Sequence, residues 1–235
     1  MRHFKLALLS ALLIPALAMA DDLSDLKAKL LTKYPNADQK VEVLTTPIAG
    51  IYEVDVGRNI AYTDKNGDFM MFGHLFNMTN HADLTKDRLD IITKIDFNQL
   101  PLKNAIKIVK GNGSKKFAVF SDPECPFCKR LESSLAKETD YTEYVFLFPI
   151  DQLHPGTTAK SQSIWCAKDS AKAWQDALVN GKEPDTANCD NPIEADKKLG
   201  ASFGVQGTPT LVSINGKVVP GAIEGPALDS FLAGK

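Results

Sequence analysis

Residues 117–131 read Phe117-Ala118-Val119-Phe120-Ser121-Asp122-Pro123-Glu124-Cys125-Pro126-Phe127-Cys128-Lys129-Arg130-Leu131. The opening run is continuously apolar, as in a central strand buried on both faces. Ser121 to Glu124 turns the chain, and a helix is expected from Cys125 or just after it, with Phe127, Leu131 and Leu135 as its apolar stripe. Two cysteines spaced C-x-x-C at such a junction close a small disulfide with little backbone movement. The first sits at a helix N-terminus, where unpaired amides and the macrodipole favour a thiolate. A free cysteine has a pKa of about 8.5, and sites of this kind fall to roughly 3.5–7.5. Only the thiolate attacks a disulfide, so Cys125 is the expected nucleophile and Cys128, one turn inside the helix, the buried resolving thiol.

Competing chemistries fit less well. A four-cysteine zinc site wants two close pairs, and Cys166 and Cys189 are 23 positions apart. Haem attachment needs a histidine after the second cysteine, where Lys129 stands. No metal or organic cofactor is therefore expected. His74, His81 and His154 lack ligand spacing and read as ordinary surface or packing residues. Trp165 and Trp174 read as core, and the Asn77-Met78-Thr79 sequon as chance.

Outward from this stretch the chain has ordinary globular composition: 235 residues, 44% hydrophobic, 24% charged. That excludes a disordered or low-complexity chain, and a formal net charge of −2 argues against a nucleic-acid-binding surface. Residues 1–20 carry Arg2 and Lys5, a short apolar run to Leu17 and Ala18-Met19-Ala20, the pattern of a cleaved secretory signal. Its removal takes the net charge from −2 to −4. Export places the cysteines where disulfides persist.

Residues 21–80 read as a small α+β unit. Leu23, Leu26 and Leu30 suggest a helix stopped at Tyr34-Pro35. Ile51 to Val56 mostly alternates apolar and acidic residues, and Ile60 to Thr63 and Phe69 to Phe72 flank an Asn66-Gly67 turn. So small a block has trouble burying a core alone and is expected to pack on something, such as a second copy of itself. Residues 81–103 read as a linker with one helix over Leu84 to Ile95. Beyond the C-x-x-C motif, Tyr144 to Phe148 reads as a strand, 154–203 as helices, Val212 to Val219 as a hairpin through Asn215-Gly216, and Pro226 to Leu232 as a last helix.

Gly207-Thr208-Pro209-Thr210 is by itself only a turn with proline. Joined to an upstream C-x-x-C it resembles the thioredoxin-fold oxidoreductases, in which this proline is cis and faces the cysteines. The resemblance implies that Thr208 and Pro209 bind substrate, the Thr208 backbone pairing with an extended strand. Gly50-Ile51-Tyr52-Glu53-Val54, Tyr62-Thr63-Asp64-Lys65-Asn66-Gly67-Asp68, Lys103-Asn104-Ala105-Ile106-Lys107, Gly111-Asn112-Gly113, the 120–131 stretch, and Asn215-Gly216 with Pro220-Gly221 are similar to the periplasmic disulfide isomerase family DsbC/DsbG. The short linker and Thr210 resemble its DsbC branch.

That resemblance implies an α+β / α/β chain: a signal peptide at 1–20, an N-terminal dimerisation domain at 21–80, a helical linker at 81–103, and a thioredoxin-fold catalytic domain at 104–235. The 81 positions from Cys128 to Pro209 match a Dsb-type helical insertion. It implies a V-shaped homodimer acting on misfolded, wrongly paired exported proteins, chaperone-like binding in an apolar cleft, and re-reduction by the membrane reductase DsbD. It also implies a structural Cys166–Cys189 disulfide, worth about 3–3.5 kcal/mol in the chain-entropy model. The alternative is that one of the two resolves intermediates formed at Cys125. Pro126-Phe127 departs from the Gly-Tyr pair of the family's best-known member. Val119 stands where thioredoxins carry a buried acid, which suits an isomerase better than a dedicated reductase.

Overall fold

A computed structural model describes residues 16–35 and 41–234. Most of the expected signal sequence, residues 1–15, lies outside the described residues, and the first helix, α1 (Ala16–Lys33), runs through the expected cleavage point. No helix among the described residues is long and apolar enough to cross a membrane. The chain divides into two compact units, one ending at Ile92 and the other starting at Thr93.

In the first unit, β1 (Val41–Thr45), β2 (Ile51–Val56), β3 (Asn59–Asp64) and β4 (Met70–Met71) form an antiparallel sheet in chain order. The period-two pattern of β2 sorts its residues. Val54 joins Leu26, Leu30 and Val41 in a small core under α1. Glu53 and Asp55 instead take Arg88, at 3.1 and 2.6 Å. Arg88 lies on α2 (Leu84–Ile92), which follows a two-stranded ribbon of β5 (Phe76–Asn77) and β6 (Ala82–Asp83). The β3–β4 turn uses Gly67 at φ +67°, a left-handed position that favours glycine. An apolar cavity of about 1030 Å³, lined by Leu30, Val54, Ile60, Met70, Phe72 and Leu89 among others, opens in this unit.

The second unit is built on a five-stranded sheet of order β11-β10-β8-β9-β7, comprising β7 (Ile106–Lys110), β8 (Lys115–Ser121), β9 (Tyr141–Leu147), β10 (Thr210–Ser213) and β11 (Val218–Pro220). Only the β8–β9 pair is parallel, and the helix α3 (Pro126–Leu135) connects its strands. The helices α4 (Thr157–Trp165), α5 (Ser170–Leu178) and α6 (Ile193–Ser202) lie between β9 and β10, and α7 (Pro226–Leu232) closes the chain. The β8 run separates its faces by parity. Phe117 and Val119 pack with α3, α5 and α7, and Ala118 and Phe120 pack with Ile95, Phe97 and Leu100.

The 81–103 stretch, expected as a linker, is therefore divided between the units. Thr85 and Arg88 bind α2 to the first sheet through Tyr62, Glu53 and Asp55. Ile95, Phe97 and Leu100 are buried in the second unit. Backbone pairing adds to this, since Ile95 N–H donates to the Gly216 carbonyl at 3.0 Å. A Cβ on Gly216 would lie 2.5 Å from the Ile95 carbonyl oxygen, so this hairpin turn takes no side chain.

Candidate active site

The turn after β8 delivers Cys125 to the N-cap of α3, with Pro126 at its first position, where a missing amide proton costs nothing. Both thiols are free. Cys128 is fully buried against the sheet and Cys125 keeps 4% exposure. The expected helical stripe holds for Leu131 and Leu135, and Phe127 departs from it. Phe127 is half exposed with the Arg130 guanidinium 5.2 Å from its ring centroid, and Cys128 takes the inward place.

The peptide bond before Pro209 is cis, and the Cys125 thiol donates to the Thr208 carbonyl at 3.3 Å. The structure thus brings Cys125, Cys128, Thr208 and Pro209 together. The Cys125 pKa is lowered to about 5: the Cys128 thiol contributes most, burial opposes, and the Thr208 side chain and the amides of Phe127 and Cys128 add to the lowering. Burial, followed by the neighbouring Cys125, drives the Cys128 pKa strongly upward. One thiol is poised as a thiolate and the other holds its proton.

A charged rim adjoins this pair. Glu124 accepts from Lys129 at 2.8 Å and Lys160 at 2.5 Å. Burial acts to raise the Glu124 carboxyl, and the two ammonium groups outweigh it, holding it below the usual range. Lys129 is thus tied to the residue before Cys125.

Cys166 and Cys189 lie elsewhere, joined as a disulfide with Cα atoms 5.7 Å apart. The bond ties the end of α4 to the irregular 179–192 segment. Gln162 to Asn188 and Trp165 to the Asp190 carbonyl tie the same two segments. Trp174 is fully buried and Trp165 half-buried.

Three features of the site escaped the sequence reading. Asp122 is a buried acceptor at the root of the cysteine turn, and His154, read as ordinary, sits on it at 2.9 Å. The third feature is a pair of buried carboxyls. Val119 is apolar, but Glu132, one turn after Cys128, faces Glu143 of β9. Trp174 Nε1 donates to Glu132 at 2.7 Å. Burial pushes Glu132 up to about 6, and burial with the Glu132 charge pushes Glu143 well above the carboxylate range. The only signal in the sequence was a glutamate at i+4 on the face that carries Cys128.

Comparison with known proteins agrees with this geometry. Residues 102–233 match the thioredoxin-like domain family, and residues 17–86 match the disulfide bond isomerase protein N-terminal domain. A probable thiol:disulfide interchange protein DsbC of Bordetella parapertussis is 40% identical over 183 residues, covering 78% of this chain. This chain spans 65% of that relative's length. The thiol:disulfide interchange protein DsbC of Salmonella typhimurium is 31% identical over 195 residues, covering 80% of this chain and 78% of its own. The crystal structure of a disulfide interchange protein from Neisseria gonorrhoeae is similar at 48% identity and a TM-score of 0.56, covering 57% of this chain and 97% of that one. A C-x-x-C thiol pair at a strand–helix junction under a cis-proline, in a chain whose two halves match these two domain families, belongs to the DsbC family of thiol:disulfide interchange proteins.

Proposed function

We propose that this chain is a periplasmic, homodimeric thiol–disulfide isomerase that rearranges or reduces non-native disulfides in exported proteins. The observation that carries the reading is the opposed tuning of the two thiols, one lowered to about 5 at a helix N-terminus and one buried and protonated. The Cys125 thiolate attacks one sulfur of a substrate disulfide; the other sulfur leaves as a thiolate, and a mixed disulfide forms. A substrate thiolate then attacks the substrate sulfur of that bond. A new substrate disulfide forms, Cys125 is released, and no net electrons move. Alternatively Cys128 loses its proton and attacks Cys125 Sγ. The substrate leaves reduced, and the Cys125–Cys128 disulfide is returned to dithiol by two electrons from the membrane reductase DsbD.

In this reading Thr208 and Pro209 hold the substrate backbone beside Cys125, and the Cys166–Cys189 bond is structural. The N-terminal unit pairs two copies and supplies apolar surface for chaperone-like binding of misfolded chains. Phe69, Phe72 and Met78, each more than 70% exposed, favour that role.

The test is recovery of activity from a scrambled multi-disulfide substrate. Cys125→Ala is expected to bring isomerisation and reduction to background while suppression of substrate aggregation persists. Retained isomerisation in that variant would overturn the assignment.

A further inference from the structure

Asp122, three residues before Cys125, has no exposure, and its carboxylate collects donors from two segments, its own turn and the 150–157 loop. Oδ1 accepts the Glu124 amide at 2.8 Å and the Thr157 hydroxyl. Oδ2 accepts the Ile150 amide at 2.9 Å and lies 2.9 Å from His154 Nδ1. The backbone of the same residue serves the thiols. Its carbonyl accepts the Cys125 amide at 3.1 Å, and its amide donates to Cys128 Sγ at 3.5 Å. One residue thus couples the 150–157 loop, which opens the helical insertion, to both cysteines.

His154 differs from the other donors to this carboxylate. Backbone bonds close its own turn, His154 N–H to the Ile150 carbonyl and Thr157 N–H to the His154 carbonyl, and the imidazole adds a side-chain bond to these. Its side chain is 20% exposed. A carboxylate only accepts, so Nδ1 carries the proton and the tautomer is fixed.

We propose that His154 is a positioning residue for the thiol chemistry: its Nδ1–H bond to Asp122 holds the turn that presents Cys125 and the amide that faces Cys128. The proposal rests on the exchange reading of the two cysteines. Without this donor the buried Asp122 charge is less compensated and the turn less constrained. The Cys125 thiolate is then disfavoured, and the pair shifts toward its disulfide.

The test measures, on the full chain, the redox equilibrium with glutathione and the ultraviolet titration of the Cys125 thiolate. His154→Leu is expected to move the equilibrium about fivefold toward disulfide, the effect of one net hydrogen bond, and to raise the titration midpoint. His154→Asn places an amide N–H where Nδ1 lies and is expected to stay within about twofold of wild type. His154→Gln carries its amide one bond further out and is expected to behave like His154→Leu. It gives the same contrast if His154→Leu fails to fold. Equal constants for His154→Asn and His154→Gln, or a His154→Leu protein altered only in melting temperature, would overturn the proposal. A wild-type protein that does not exchange with glutathione would instead overturn the parent reading.

Discussion

The two units of this chain solve the burial problem differently. In the second, a mixed sheet is covered on both faces, and Phe117, Phe120, Phe146 and Trp174 are all fully buried. In the first, the core cluster of buried residues is Leu26, Leu30, Val41 and Val54, while Phe69, Phe72, Phe76 and Met78 stay more than half exposed. A unit with so small a core and large exposed aromatics is a folded unit with surface left to pair. The thiol chemistry sits on the unit that completes itself. The proposed role of the other is to bring two such sites together.

The contrast can be broken most forcefully by cutting the chain. A fragment 93–235 is expected to unfold cooperatively and keep a reactive Cys125. A fragment 103–235 loses Ile95, Phe97 and Leu100, each worth about 1.5–3 kcal/mol of burial, and is expected to be largely unfolded. Denaturant melts of the two decide it, and equal stability would show that the 93–102 segment is no part of that core.

Next in size, Cys166→Ser with Cys189→Ser should cost about 3 kcal/mol, read as a lower denaturation midpoint with Cys125 reactivity unchanged. Loss of exchange activity in that variant would move the pair from structure into mechanism.

The buried carboxyls give a pH signature to the second unit alone. Their folded-state pKa values are raised, so the folded state holds more protons than the unfolded one. Their contribution is full below about pH 4.5 and is lost as pH rises through about 6 and beyond. Glu143→Gln removes the like charge and is expected to flatten this decline. The gain at pH 8 should be on the order of 1–2 kcal/mol, with little change at pH 4. A parallel decline in the variant would place the titration elsewhere.

The smallest effect sharpens the role of the first unit. Phe72→Asp is expected to weaken self-association about tenfold, read by sedimentation, without moving the Cys125 titration. Unchanged association would remove this surface from the interface.

Much of this architecture is legible in the sequence. The continuous apolar run of Phe117 to Phe120, the acidic alternation of β2 and the Asn-Gly turns are local patterns that match their elements, so they read directly; the sorting of Phe117 and Val119 from Ala118 and Phe120 came only with their partners. The divided linker did not read, because Arg88 and Phe97 declare allegiance only through partners far along the chain.

Two cysteines one helical turn apart, the first at a helix start, with a proline downstream, could be read along the chain, because spacing and N-terminal amides are local properties. The tertiary structure decided the environment of that chemistry. The Asp122–His154 contact spans 32 residues and the Trp174–Glu132 bond spans 42. Whether a carboxyl is buried, and which side chain compensates it, depends on segments that meet only when the sheet and the helical insertion close around them.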